Sequence, residues 1–318
     1  MPLWVITDVD TEFDSLRFNL PFAGVNNPGL ESGVSTLLDL FNKYEINATF
    51  HVQEQRDPEQ SVSEKYPKVL EQIEQLGYEI GLHVHTRSIS YQERKLEISV
   101  ARSNLIELGY KPISFRAGWY FTTTTTVKIL DQLGFMFDCS PVKNTCIGPM
   151  RWYNIPDSPY HPDSNNITNI GSMRLLIIPV SNYRLGINWQ RGNSWELDLN
   201  LGGVELLTKM SEEMTEPIII YLTTHSWKAV HPSGKPNHWT IQRFKKIFSY
   251  LSQYQYVSYD VKTAGDKWIE KGYSPYFLSL PDLLGNKLSI LSPQRHLTLC
   301  KFVLSRFKAL QYNIFGSF

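Results

Sequence analysis

Short apolar runs alternate with helix-forming segments along most of the chain, and this alternation limits the fold more than any other feature. The run 3–7 precedes an amphipathic segment at 33–44, and the run 48–52 precedes a helical segment that stops at Gly77. Further strand-like runs lie at 78–83, 113–115, 135–137, 175–178, 218–222 and 256–259. Strands that are separated by helices predict a parallel sheet with right-handed crossovers.

The number of these units predicts an α/β protein built as a distorted (β/α) barrel of seven or eight strands, with an open doubly wound sheet as the alternative. The segments 141–172 and 181–200 lack periodicity and are expected to form long loops over the barrel. We assign residues 1–270 to the barrel domain and 271–318 to a C-terminal extension. An apolar stripe in the extension predicts a docked amphipathic helix, or alternatively a helix at 292–312 that associates weakly with a membrane surface.

Charge and cysteine content argue against several classes of protein. Of the 318 residues, 31 are Lys or Arg and 31 are Asp or Glu, so the formal net charge is zero and no nucleic-acid partner is expected. The three cysteines form no Cys-x-x-Cys pair, which argues against a disulfide framework or a cysteine zinc site. The first residues, Met1-Pro2-Leu3-Trp4, do not resemble a signal peptide, and we expect a cytoplasmic protein, at most peripheral at the inner face of the membrane.

Acidic, histidine and arginine side chains cluster where the predicted strands end. Asp8 and Asp10 follow the first strand, His51 lies near the end of the second, and His83 and His85 close the third. The ends of later strands carry Arg116, Asp138 and His225. In a parallel barrel all of these strand ends open on one face, where barrel enzymes build their active sites.

Three of these side chains are a suitable ligand set for a divalent metal ion. Asp10, His83 and His85 offer one oxygen and two imidazole nitrogens, and the two histidines project from the same face of an extended segment because they are two residues apart. Three protein ligands leave one position for water, which is typical of catalytic zinc. We therefore predict a divalent metal, with Zn²⁺ favoured and Co²⁺, Ni²⁺ or Fe²⁺ also suited to these ligands.

The remaining polar groups have the chemistry that hydrolysis of an amide needs. Asp8 is the predicted general base that takes a proton from water, and His225 is the predicted acid that protonates the leaving amine. Arg116 and Asp138 are expected to orient these two groups, the arginine beside the base and the aspartate beside the histidine. These roles predict hydrolysis of an amide.

Five short motifs resemble those of the polysaccharide deacetylase family, the NodB-homology proteins that are also grouped as carbohydrate esterases of family 4. They are Thr7-Asp8-Val9-Asp10, Glu79-Ile80-Gly81-Leu82-His83-Val84-His85, Phe115-Arg116-Ala117-Gly118-Trp119, Phe137-Asp138-Cys139-Ser140-Pro141 and Leu222-Thr223-Thr224-His225. Their order and approximate spacing are similar to the family's over residues 3–260. The resemblance implies a NodB-like barrel that removes an acyl group, acetyl or formyl, from an N-acylated amino sugar.

Two positions depart from the family pattern. Val9 separates two aspartates that are usually adjacent, so the resemblance leaves open which of Asp8 and Asp10 is the base and which is the ligand. The second metal histidine usually lies four residues after the first, a position held here by Arg87, and His85 is expected to replace it. The Asp-Val-Asp-Thr opening also resembles the branch that deformylates a lipid-linked amino sugar, which implies a nucleotide- or lipid-linked substrate in surface-glycan biosynthesis.

Aromatic residues beside the motifs are candidates for binding the sugar. We expect Trp119, Tyr120 and Trp227 to contact the substrate, and His51 is a fourth candidate, with a structural histidine as the alternative. Thr122 is expected to cap the helix that follows it. Two other functions stay open: a metal-independent amidase acting on a small ureide or amide, and a catalytically silent glycan-binding relative.

Overall fold

A computed structural model describes residues 3–14, 27–86, 88, 90–143, 146, 147, 150–152, 154–181, 204, 208, 211 and 216–278. The chain divides into two units, 1–277 and 278–318, and every element below belongs to the first. The helix predicted in the C-terminal extension, including 292–312, lies outside the described residues.

Strands and helices alternate through the described part of the chain, as the sequence predicts. The strands are β1 (Leu3–Thr11), β2 (Ala48–Gln53), β3 (Glu79–Val84), β4 (Ser114–Ala117), β5 (Phe137–Asp138), β6 (Cys146–Ile147), β7 (Met150–Arg151), β8 (Leu176–Ile177), β9 (Ile219–His225) and β10 (Tyr256–Tyr259). The helices are α1 (Val34–Lys43), α2 (Val62–Lys65), α3 (Pro67–Gln75), α4 (Tyr91–Glu107), α5 (Thr124–Leu133), α6 (His238–Leu251) and α7 (Val261–Lys271). Each strand run predicted from the sequence overlaps an observed strand.

The sheet is parallel throughout, apart from the small antiparallel pair β6–β7. The strand order is β9-β1-β2-β3-β4-β5-β8. Strands β10 and β2 share the other edge of β1: β10 pairs with the first residues of β1, and β2 pairs with the last residues of β1. The segment after β8 reaches β9: the Ser181 amide donates to the Tyr221 carbonyl at 3.3 Å, and the Tyr221 amide donates to the Ser181 hydroxyl at 3.0 Å. This link joins the two ends of a curled sheet, which confirms the predicted (β/α) barrel over the open sheet.

The core lies between the sheet and the helices. All nine residues of β1 are buried, because this strand has neighbours on both edges and side chains packed on both faces. The Trp4 ring meets Tyr259 edge-on at a centroid distance of 5.2 Å and Trp268 at 6.3 Å. On the α1 side, the Phe41 ring lies 6.2 Å from Phe50. None of the described helices combines the length and the apolar character that crossing a membrane requires.

Two element boundaries differ from the predicted ones. The predicted first strand stopped at residue 7, but β1 continues to Thr11, so Asp8 and Asp10 are strand residues and not loop residues. Helix α5 is capped by Thr123, whose hydroxyl accepts the Thr126 amide, while the Thr122 hydroxyl donates to Asp138 at 3.1 Å. Both differences bring polar side chains into the barrel interior.

Candidate active site

Strand register brings the polar motifs to one end of the barrel. Asp10 is paired with His51 on β2 and with His225 on β9. His83 is paired with Arg116 on β4 and with the last residue of β2. Because the strands are parallel, these side chains all lie at the carboxyl ends of the strands, as predicted.

The structure groups Glu12, His83 and His85 around one point. The Glu12 Oε2 atom lies 3.2 Å from His83 Nε2 and 2.8 Å from His85 Nε2, and the two imidazole nitrogens lie 2.8 Å apart. The three ligand atoms lie within 4.8 Å of one another, and the residues are buried or nearly so. One carboxylate and two imidazoles are a donor set that fits Zn²⁺ and similar divalent metals.

Two further observations fit a cation at this point. The His83 Nδ1 atom lies 3.1 Å from the Arg116 carbonyl, which can only accept, so Nδ1 carries the proton and the Nε2 lone pair faces Glu12. The buried carboxylates of Asp8 and Asp10 face one buried guanidinium, Arg116, and a third buried carboxylate, that of Glu12, lies beside the two histidines. Two negative charges are left over in a dry site, and a divalent cation would balance them.

The pKa values of this group reflect its burial and its hydrogen bonds. Burial alone would raise the pKa of Glu12, but the imidazoles of His83 and His85 beside its carboxylate outweigh burial and hold that pKa well below the usual value. Burial lowers the pKa of His85, and the hydrogen bond to Glu12 opposes this only in part. An ionised carboxylate and a neutral imidazole are the forms that coordinate metal.

Glu12 takes the place beside the histidines that the sequence analysis gave to Asp10. The reason is the length of β1: side chains at 8, 10 and 12 project to the same face of an extended segment, and Glu12 is level with the end of β2 and with His83. Asp10 lies one pleat lower, where its Oδ1 is 3.7 Å from Arg116 Nε and its Oδ2 is 3.7 Å from His225 Nε2. The alternation of acidic residues at period two was the sequence signal that could have identified Glu12.

Asp8, the predicted base, lies deepest and is fully buried. Its Oδ2 atom accepts hydrogen bonds from Arg116 Nη2 and, at 2.6 Å, from the Tyr221 hydroxyl, and it lies 3.3 Å from His51 Nδ1. Burial would raise the pKa of Asp8, but Arg116 and His51 together hold it below its usual value. Tyr221 was not recognised from the sequence, where a tyrosine within an apolar strand gives no distinguishing signal.

Asp138 does not contact His225, which corrects the expected pairing. Its carboxylate accepts the Ser140 amide at 2.9 Å and hydrogen bonds from the hydroxyls of Ser140 and Thr122. Burial raises the pKa of Asp138, and these hydrogen bonds oppose the shift. The carboxylate is thus occupied within its own loop, because β5 is short and Ser140 folds back onto it.

His225 lies instead between the carboxylate of Asp10 on β1 and that of Glu12, which directly follows β1. Its Nε2 atom is 3.7 Å from Asp10 Oδ2 and 3.5 Å from Glu12 Oε1. The Trp227 ring covers it at a centroid distance of 4.8 Å, and the Trp227 indole N–H donates to Glu12 Oε1 at 3.2 Å. With its side chain 13% exposed, His225 is more accessible than Asp10 or Glu12.

The four predicted substrate contacts occupy different depths. Trp119 is 54% exposed and meets the His85 ring edge-on at 4.6 Å, so it lies at the mouth of the site. Tyr120 is buried, with its ring 4.9 Å from the guanidinium carbon of Arg116. His51 is fully buried behind Asp8, which favours the structural alternative over substrate contact. Trp227 is half-buried beside His225.

Part of the chain matches a known protein family. The family model of polysaccharide deacetylases matches residues 25–137, about a third of the chain, and this span contains the histidine and arginine motifs. The match confirms the resemblance to this family that the sequence motifs indicated. No functionally curated protein matches the sequence.

Solved structures with the same fold are distant in sequence. A Mycobacterium smegmatis protein assigned to the polysaccharide deacetylases superposes with a TM-score of 0.56 at 17% identity, over 87% of this chain and 94% of that one. A Parabacteroides distasonis protein assigned as a glycoside hydrolase/deacetylase gives 0.64 at 14% identity, over 86% and 72%. A 4-α-glucanotransferase from Thermococcus litoralis gives 0.51 at 12% identity, over 98% and 46%. At these identities the likeness concerns the fold alone, since one fold hosts different chemistries.

Proposed function

We propose that the protein is a metal-dependent hydrolase that removes an N-acyl group, acetyl or formyl, from an amino sugar. One observation carries this proposal: Glu12, His83 and His85 converge on one point, with Asp10 and His225 directly beside them. A metal held by these three ligands would polarise the amide carbonyl and make water a better nucleophile. The deacetylase family match supports the same chemistry.

We assign the general base to Asp10 and not to Asp8. The Asp8 carboxylate is buried beneath three partners, and its lowered pKa makes it a poor proton acceptor. Asp10 lies nearer the mouth, is oriented by Arg116, and has its Oδ2 atom 3.7 Å from His225 Nε2. Asp8 then serves to fix the Arg116 guanidinium beside Asp10.

The proton transfers follow from these positions. Asp10 takes one proton from water as the water oxygen bonds to the amide carbon. His225, whose Nε2 lies 3.7 Å from Asp10 Oδ2, acts as the acid and delivers a proton to the amide nitrogen as the carbon–nitrogen bond breaks. The products are the free carboxylic acid and the amino sugar, and the proton held by Asp10 restores His225 for the next turnover.

We further propose that the amino sugar is carried on a nucleotide or lipid, in surface-glycan biosynthesis, and that the reaction occurs in the cytoplasm or at the inner face of the membrane. The Asp-Val-Asp-Thr opening supports a carrier-linked substrate through its resemblance to the lipid-linked branch. Trp119 offers an exposed ring for stacking on a sugar. Lys228, whose Nζ lies 5.7 Å from the Trp227 ring centroid, supplies positive charge near the site for a phosphate.

The test is release of acetate or formate by the purified full-length chain. UDP-N-acetylglucosamine, a chitin oligomer and an N-formyl amino sugar are each assayed before chelation, after chelation and after Zn²⁺ is restored. We expect chelation to abolish turnover and Zn²⁺ to restore it. His83→Ala should lower turnover at least ~10³-fold, because it removes a metal ligand.

Other outcomes discriminate between the alternatives. Turnover that resists chelation and survives His83→Ala would contradict the proposal and favour the metal-independent amidase. Sugar binding without turnover in the presence of each of the four metals would favour the silent glycan-binding relative. Equal rates on the chitin oligomer and the nucleotide-linked sugar would remove the argument for a carrier.

A further inference from the structure

The two oxygens of Glu12 have different partners. Oε2 faces His83 and His85, whereas Oε1 accepts the Trp227 indole N–H at 3.2 Å and lies 3.5 Å from His225 Nε2. An indole N–H can only donate, so its partner must be an acceptor. A carboxylate that is held through one oxygen presents the other in a fixed direction, and here that direction is toward the two imidazoles.

Trp227 is itself fixed by contacts on two sides. Its ring packs against His225 with an interplanar angle of 38°. Its backbone lies against Gly29, where an added Cβ would come within 2.7 Å of the Trp227 Cα. The Gly29 amide in turn donates to the Asp14 carboxylate at 3.1 Å. A rigid tryptophan can therefore set the rotamer of Glu12.

We propose that Trp227 is a positioning residue for metal binding, which acts by holding Glu12 Oε1 so that Oε2 stays directed at His83 and His85. This inference rests on the proposed function, because it concerns the same site. Hydrogen-bond partners of metal ligands are typically worth about 10- to 100-fold in metal affinity. In the sequence-based interpretation Trp227 was a substrate contact, and the indole N–H gives it a second role.

The first experiment compares the metal affinities of the wild type and Trp227→Phe. The phenylalanine keeps an aromatic ring beside His225 and loses the N–H donor, together with one ring of the indole. We measure the Kd for Zn²⁺ by competition with a chromogenic chelator, on the full chain, and expect it to rise about 10- to 100-fold. Trp239→Phe is the matched control, since Trp239 is 59% exposed on α6 and its exchange should leave Kd unchanged.

A double-mutant cycle separates positioning from a general loss of structure. If Trp227 acts through Glu12, Trp227→Phe should have little effect on Kd once Glu12 is already replaced by Gln. An undiminished effect in the Glu12→Gln background would overturn the proposal, as would an unchanged Kd in Trp227→Phe itself. A wild-type chain that binds no Zn²⁺ would overturn the proposed function as well, so the two failures are distinguishable.

Discussion

The two ends of the barrel differ in whether their polar side chains have hydrogen-bond partners. At the amino ends of the strands, the Glu79 carboxylate accepts hydrogen bonds from the Thr49 hydroxyl at 2.6 Å, the Ser114 hydroxyl at 2.9 Å and the Lys262 amide at 2.9 Å. These partners tie β2, β3, β4 and the first turn of α7 together, and each of the two Glu79 oxygens has a partner. The arrangement has the features of a structural connection.

At the carboxyl ends, buried polar atoms remain without hydrogen-bond partners among the described residues. They include Asp10 Oδ1, Arg116 Nη1 and His85 Nδ1. A buried polar atom without a partner lowers the free energy of unfolding by about 1–3 kcal/mol. Such atoms are therefore expected where a ligand or the reaction uses them. Strand β3 shows the contrast within six residues: it begins at Glu79, which is paired, and carries His83 near its other end. Strand β3 therefore carries a structural side chain at its amino end and a proposed metal ligand near its carboxyl end.

The largest expected effect separates the two aspartates of β1. Asp8→Asn should lower the free energy of unfolding by about 3–5 kcal/mol, because it leaves the buried Arg116 guanidinium without its nearest counter-charge. Asp10→Asn should lower stability less than Asp8→Asn does, because the Asp10 carboxylate lies 3.7 Å from Arg116 Nε and accepts no hydrogen bond from it, but it should lower kcat by about 10²- to 10⁴-fold, because it removes the base. Urea unfolding and initial rates measure both variants.

The reverse pattern would contradict this assignment. If Asp10→Asn unfolded readily while Asp8→Asn remained stable and inactive, Asp8 would be the base, as the sequence analysis predicted.

A smaller effect is expected at Gly118, which lies against a proposed metal ligand. A Cβ at this position would lie 2.4 Å from the Cγ and Nδ1 atoms of His85, and the next residue, Trp119, already has a strained backbone with φ at 53°. Gly118→Ala should displace the His85 ring and lower the free energy of unfolding by about 1–3 kcal/mol. Thermal and urea unfolding measure this loss.

The same exchange in a His85→Ala background provides the control. With the imidazole removed, the added methyl group has room, and the cost of Gly118→Ala should largely disappear. A cost that stays the same would show that the strain arises elsewhere in the 118–120 turn.

The sequence was sufficient to predict the fold because the spacing of apolar residues predicts the strands and helices, and their order along the chain predicts how the strands pair. Each strand run is a separate local signal, and parallel topology follows from the intervening helices. The family match confirms the resemblance that the motifs indicated. Strand ends were less well predicted: Val9 lies between two acidic residues, and only its burial in the sheet reveals that β1 continues to Thr11.

The partners within the site could not be predicted because they depend on register. Acidic residues at 8, 10 and 12 predict three carboxylates on one face of the extended chain, but which of them reaches His83 depends on the register between strands, which this alternation does not determine. Asp138 is a second example. Its carboxylate accepts hydrogen bonds from the Ser140 amide and the Thr122 hydroxyl and not from His225. Sequence reasoning identified most of the residues that meet at this end of the barrel but missed Glu12 and Tyr221, and the structure was needed to show which side chains are partners.

The smallest expected effect tests the structural end of the barrel through its pH dependence. Burial raises the pKa of Glu79 from 4.5 to about 7, and its hydrogen bonds only partly oppose this shift. Between pH 4.5 and about 7, Glu79 is ionised in the unfolded chain and protonated in the folded chain. The free energy of unfolding therefore falls as the pH rises through this range and does not change further with Glu79 above it. The residue is partly exposed, so we expect a loss of about 1–2 kcal/mol, below the ~3 kcal/mol of the full shift.

Glu79→Gln should remove this slope, because the amide does not titrate. Subtracting the unfolding free energy of the variant from that of the wild type, at pH 5, 6, 7 and 8 in urea, isolates the contribution of Glu79. Glu71→Gln, on the exposed face of α3, controls for the loss of a surface charge. Parallel curves for wild type and Glu79→Gln would show that Glu79 is ionised in the folded protein at all four pH values, stabilised by its three donors. The contrast between the two ends would then rest on hydrogen bonding alone, since both would hold ionised carboxylates.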